Sequence, residues 1–139
     1  MIAAIDKVLP EVRAQVESLL PDHGGELHFH VYGRDCVMGP REPLRHHPSH
    51  ELGIVIDAIA PTAEAADTLC SLTRSTLMHF GYAGRISTAG NLAFPFSPSD
   101  LRAGAVYEFS VYHLLEAVLQ HRGGHRLFES IGLCVPLGV

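Results

Sequence analysis

Residues 27–32 read L-H-F-H-V-Y. Leu27, Phe29 and Val31 alternate with His28, His30 and Tyr32, the period of two that sends alternate side chains to opposite faces of a β-strand. The preceding stretch keeps another period. Residues 3–20, A-A-I-D-K-V-L-P-E-V-R-A-Q-V-E-S-L-L, put Ile5, Val8, Leu9, Val12, Val16, Leu19 and Leu20 on one helical stripe. P-D-H-G-G at 21–25 separates the two. A helix followed directly by a half-buried strand sets the class: one apolar stripe must cover one apolar sheet face. Pro10 is expected either to open the main helix at its first turn or to kink it.

Downstream, residues 33–50, G-R-D-C-V-M-G-P-R-E-P-L-R-H-H-P-S-H, form a long connection punctuated by proline and glycine. E-L-G-I-V-I-D-A-I-A at 51–60 is a second strand, more continuously apolar, and Pro61 ends it. Thr62 is a good N-cap, and Glu64 and Asp67 suit the start of a helix. That helix is expected over 63–80, with Ala66, Leu69, Cys70, Thr73, Leu77 and Phe80 inward and Gly81 as terminator. V-Y-E-F-S-V-Y-H-L-L at 106–115 alternates as a further strand. After R-G-G-H at 122–125 comes an apolar tail, suited to an edge strand or to docking on a partner. This order predicts an α+β fold in one domain, 1–139: a mainly antiparallel (mixed) sheet with helices on one face, a ferredoxin-like sandwich. Segment 1–25 is the N-terminal helix and 117–139 the tail.

The chain has 139 residues, 47% hydrophobic and 18% charged, enough for a real core. A net charge of −5 without a basic run argues against nucleic acid as a partner. No run approaches the roughly 18 apolar residues of a membrane span. Three distant cysteines, Cys36, Cys70 and Cys134, make no disulfide framework. The first residues meet charge at Asp6 and lack the apolar core of a signal peptide, so a cytoplasmic location is expected.

Four constellations could carry chemistry. His28 and His30 leave one strand face, and His50, with His46 and His47, lies in the next loop; together they could ligate zinc or iron. A polar strand face is the commoner meaning of such a pair. In Y-G-R-D at 32–35, Arg34 could pair with Asp35 or offer its fork to a carboxylate or phosphate. Y-A-G-R at 82–85 runs into Ser87, Thr88, Gly90 and Asn91, glycines and polar groups suited to close ligand approach, yet no phosphate-loop pattern is present. Finally, Glu108 and Tyr112 share a strand face beside His113, and Glu108 or His113 could act as acid or base if buried. No GxSxG supports a serine nucleophile.

Residues 87–101, S-T-A-G-N-L-A-F-P-F-S-P-S-D-L, are too apolar for an ordinary loop and too broken by proline for a central strand. Pro95 limits residues 91–96 to an edge or bulged strand, and Ser97 to Asp100 form a stiff turn. With Y-G-R-D-C-V-M-G at 32–39, H-E-L-G-I-V-I at 50–56, A-P-T at 60–62, G-R-I-S-T-A-G-N-L-A-F-P-F-S-P-S-D at 84–100 and V-Y-E-F-S-V-Y-H-L-L-E at 106–116, the chain resembles the C-terminal region of the acyclic terpene utilisation AtuA family over about residues 27–116. The resemblance implies a role in breakdown of branched or terpenoid acids, often as coenzyme A thioesters, by lyase or hydro-lyase chemistry. It implies no further cofactor, with coenzyme A entering only as part of the substrate. Long members carry a large α/β domain that this sequence does not contain. The expectation is a small subunit in a homo- or hetero-oligomer, its site shared with a large AtuA-like subunit. Glu108, His113 and Tyr112 would be the catalytic candidates, and Arg34, Arg85, Asn91, Ser97 and Asp100 the substrate-binding ones, as polar members of the matching runs. Two alternatives stand beside it: a non-catalytic assembly module, and a metal enzyme built on the histidines.

Overall fold

The computed structural model describes residues 1–47 and 49–107, and the backbone of 113–115 and 131–133. The chain divides into two compact units, Met1–Ala103 and Gly104–Val139. The first unit runs α1 (Ile5–Leu19), β1 (Glu26–Tyr32), β2 (Gly53–Ile59) and α2 (Ala63–His79). In the second, β3 (His113–Leu115) pairs antiparallel with β4 (Ile131–Leu133), so the apolar tail does supply a strand. The chain is α+β with antiparallel sheets, and a ferredoxin-like arrangement is compatible with it.

α1 neither starts at Pro10 nor ends there. It begins at Ile5, after a 3-10 turn at Ile2–Ala4, and continues through the proline. The apolar stripe explains this. Val8 precedes Pro10, Val12 and Val16 follow it, and all three are buried, so packing on both sides offsets the one backbone hydrogen bond that proline removes.

β1 and β2 are antiparallel in the register Leu27↔Ala58, Phe29↔Ile56 and Val31↔Ile54. Residues opposite each other share a face, so the alternation of β1 and the denser apolar run of β2 coincide on one side. Leu27, Phe29, Ile54, Ile56 and Ala58 pack there with Val8, Val12 and Val16 of α1 and Leu69 and Leu77 of α2. Arg13 of α1 lies 5.5 Å over the Phe29 ring. The other face carries the pairs His28↔Asp57, His30↔Val55 and Tyr32↔Gly53.

Residues 33–52 join the two strands. Gly33 has φ +85°, and a Cβ there would lie 2.9 Å from the Glu51 carbonyl oxygen, so the loop leaves and re-enters through a point that only glycine fits. The Ser49 hydroxyl donates to the Gly33 carbonyl across that neck.

α2 starts as its sequence predicts: Thr62 is extended and its hydroxyl accepts from the Ala65 amide at 3.2 Å. Its end differs. Gly81 does not take positive φ. The helix stops at Phe80 with ψ 130°, and the last carbonyls are met from further along the chain. Residues 91–96 form no strand, and neither do Val106 and Tyr107 at the start of the expected strand 106–115; His113–Leu115 lie within it. The Ser97–Pro98 peptide is cis.

Candidate functional site

The stretch 85–102 is a strap along α2. It is fixed first at the C-terminus of that helix. The Asn91 amide nitrogen Nδ2 donates to the carbonyls of Leu77 (2.9 Å) and Phe80 (2.8 Å), and its backbone N–H donates to Met78 (2.8 Å). Arg85 Nη1 adds a bond to the His79 carbonyl at 3.1 Å. Carbonyls at a helix C-terminus lack intrahelical donors and carry the negative end of the dipole. Asn91 and Arg85 therefore do the capping that a glycine motif does elsewhere. Gly90 makes room: its φ is +136°, and a Cβ would lie 3.0 Å from Met78 Cγ. Leu92 and Tyr82 then pack against the core.

From this anchor the strap runs antiparallel to α2, back towards its N-terminus. Arg74 lies 5.9 Å over the Phe94 ring. Arg74 Nε is 2.8 Å from Asp100 Oδ1, close in distance although the N–H is not aligned on the oxygen. Arg102 then reaches Asp67, with Nε 3.0 Å from Oδ2 and 3.3 Å from Oδ1 and Nη2 also on Oδ2. This pairing raises the Arg102 pKa, through the hydrogen bonds and then the charge of Asp67. Asp67, Cys70 and Arg74 share one flank of α2, spaced three and four apart. Burial, followed by the charge of Asp100, pushes the Cys70 thiol pKa up from its ordinary 9.0; Arg74 opposes and Asp67 and Asp57 add to the rise. Ser97 lies exposed in the turn, and the Ser99 hydroxyl bonds to Asp100 Oδ1 at 3.1 Å.

Arg34 and Asp35 do not pair with each other. Arg34 Nη2 reaches Asp6 of α1 at 2.9 Å, and Asp35 takes Arg45 at 3.0 Å, tying the loop down at two places. His28 and His30 do share a face, their ring centroids 6.5 Å apart. Each has its own carboxylate: His28 meets Glu26 at 3.1 Å and His30 meets Asp57 at 3.6 Å. His46, His47 and His50 are exposed in the loop, and no group of three His, Cys, Asp or Glu side chains is arranged to hold a metal among the described residues. Glu108 and Tyr112 lie outside the described residues. His113 is described by its backbone, opposite Leu133 at the start of β3.

The candidate residues thus fall into separate places. Arg85, Asn91, Ser97 and Asp100 belong to the strap, whereas Arg34 sits by α1 and the histidine pair on the open sheet face. Arg34 Nε, Arg85 Nε and Asn91 Oδ1 are buried without a hydrogen-bond partner among the described residues. Two open depressions lie among the described residues. One, of about 330 Å³, is lined by Gln15, Ser75, Thr76, His79, Phe80 and Gly81. The other, of about 430 Å³, lies among Arg13, Glu17, His23 and His28. Neither gathers the strap's polar groups. What the strap does present is apolar: Phe96 is 73% exposed, Phe94 41%, Ile86 94% and Leu101 82%. Sequence reasoning missed the pairing roles of Arg74, Arg102 and Asp6, because their partners lie 26 to 35 residues away; those partners, Asp100, Asp67 and Arg34, had drawn notice for other reasons, as substrate-binding candidates or, for Asp67, the helix start.

No helix among the described residues is long and apolar enough to cross a membrane. No protein family, curated protein or solved structure matches the chain.

Proposed function

We propose that this chain is a small subunit of an enzyme complex acting on acyl-CoA thioesters or related organic acids by lyase or hydro-lyase chemistry, with the site shared with a large AtuA-like subunit. One observation carries the partner-dependent part. Asn91 Nδ2, Arg85 Nη1, Asp100 and Arg102 of the strap are engaged within the chain, while its uncharged middle turns Phe96 outward. A proline-stiffened apolar loop loses little entropy on meeting another surface. The chemistry rests on the sequence resemblance. In it Glu108 or His113 moves a proton next to a carbonyl, Tyr112 assists, and Arg34 holds a carboxylate or phosphate through the donors that Asp6 leaves free. The complex is cytoplasmic and needs no cofactor beyond the coenzyme A of its substrate.

A second reading, a non-catalytic assembly module, is favoured by the capping roles of Asn91 and Arg85, which explain those residues without a substrate. Co-purification from the native host tests what the two share: a large companion at fixed ratio supports both, and its absence removes both. Alanine at Asp100 or Glu108 in the reconstituted complex separates them. The shared-site reading expects turnover to collapse; the assembly reading expects it to persist while Phe94 and Phe96 changes break association. Turnover of acyl-CoA substrates by the purified chain alone counts against both.

A further inference from the structure

The strap is held in two different ways along its length. At Asn91 it is anchored by backbone and side-chain hydrogen bonds to the end of α2. Beyond Asn91, residues 92–103 make no backbone–backbone hydrogen bond among the described residues. After Leu92, what holds them is the Phe94 ring against Arg74, the pair Arg74–Asp100, and the pair Arg102–Asp67. The Arg102 and Asp67 side chains are each about half exposed or more. Such ion pairs contribute little individually and weaken as salt screens them. Both pairs grip the α2 flank on either side of Cys70, three residues after Asp67 and four before Arg74. The second of them sits directly before the boundary between the two units at Ala103.

We propose that residues 92–102 are an electrostatic latch: hinged at Asn91 and clasped by Arg74–Asp100 and Arg102–Asp67, the strap opens from its far end and bares the α2 flank around Cys70 while the core stays folded. The hinge is the strong point because its acceptors are helix-end carbonyls that need a donor. The clasp is the weak point because its charges remain hydrated when it opens. A device of this kind gives the flank two states, covered and open, whose ratio any competing charge or partner could shift. It stands whether or not a large subunit exists.

Cys70 reports the state. The 139-residue chain with Cys36→Ser and Cys134→Ser leaves it as the single thiol, and iodoacetamide, which is uncharged, measures its accessibility at pH 8. Arg102→Ala removes one clasp and leaves Asp67 unpaired beside Cys70. Electrostatics alone then favours the protonated thiol and slows alkylation, so acceleration has to come from opening. The expected result is labelling about two- to fivefold faster than in the unmutated strap, the factor that an exposed pair's contribution implies. In about 1 M sodium chloride the two proteins should converge, because salt opens the clasp in both. An unchanged or slower rate in Arg102→Ala overturns the latch, as does a difference that salt leaves untouched. General loosening is separated by the converse protein, Cys70→Ser with Cys134→Ser, in which Cys36 reports on the loop after β1. If Arg102→Ala accelerates Cys36 equally, the opening is not local and the proposal fails.

Discussion

Asn91 is the residue on which the strap turns. Its side chain supplies donors to two carbonyls at the end of α2, and few side chains can do that from a position eleven residues beyond Phe80. Alanine leaves the Phe80 oxygen without a donor among the described residues and the Leu77 oxygen with only the long 3.4 Å bond from the Phe80 N–H, which predicts a loss of about 1–3 kcal/mol in urea-induced unfolding. Aspartate is close in shape but donates nothing at neutral pH, and it sets a negative charge at the negative end of the helix dipole. Asn91→Asp is therefore expected to destabilise more than Asn91→Ala; the reverse order would mean that Asn91 fills space rather than donates. Cys70 gives a second residue-scale prediction. Its folded-state pKa is raised, so the unfolded chain releases the thiol proton first as pH climbs. Stability from this group is present below the ordinary value near 9.0 and declines as pH rises from there through the folded-state value. Unfolding free energies at pH 7 and pH 10 should drop less in Cys70→Ala than in the parent.

Each element has its own control point. α2 begins on Thr62, so Thr62→Ala should cost about 1 kcal/mol, read from the urea midpoint at unchanged slope. The β1–β2 loop closes through Gly33, where alanine meets both positive φ and the Glu51 carbonyl. These elements were legible because their signals are local. The period of two in β1, the helical stripes, the threonine cap and even the tail strand lie within a few residues of the structure they specify. The strap was half legible. Pro95 excluded a central strand, as found, but no spacing rule points from Asn91 back to Leu77 or from Arg102 back to Asp67, since those partners are chosen by how the folded chain returns on itself. The same holds for Y-G-R-D: adjacent opposite charges suggest each other, yet folding brought Asp6 and Arg45 closer in usable geometry. The histidine pair was read correctly as one face of β1, and its carboxylate partners came from strand register and from Glu26, two residues before His28.

At the scale of the molecule, the strap is where stability and recognition separate, and two neighbouring apolar residues test that. Leu92, like Phe80 and Tyr82, packs against the core, whereas Phe96, four residues on, is 73% exposed. Burial governs what each costs to truncate. A half-buried leucine that holds the strap to α2 should lose stability when replaced by alanine, by an amount below the roughly 2–5 kcal/mol of a fully buried site such as Leu69. Phe96→Ala removes almost no buried contact and is expected to fall within about 0.5 kcal/mol of the parent, as exposed positions do. If the outward ring is an anchor for a large subunit, the order inverts in a binding measurement. Truncating an aromatic anchor at the centre of an interface costs about 2 kcal/mol or more, some thirtyfold in affinity. Native-host capture with the Phe96→Ala chain should therefore recover little of the companion, while a Leu92→Ala chain, kept below its unfolding midpoint, should still recover it. Equal capture by the parent and Phe96→Ala would leave the exposed ring without a role in association and would move the search for a contact surface to the His28–His30 face of the sheet.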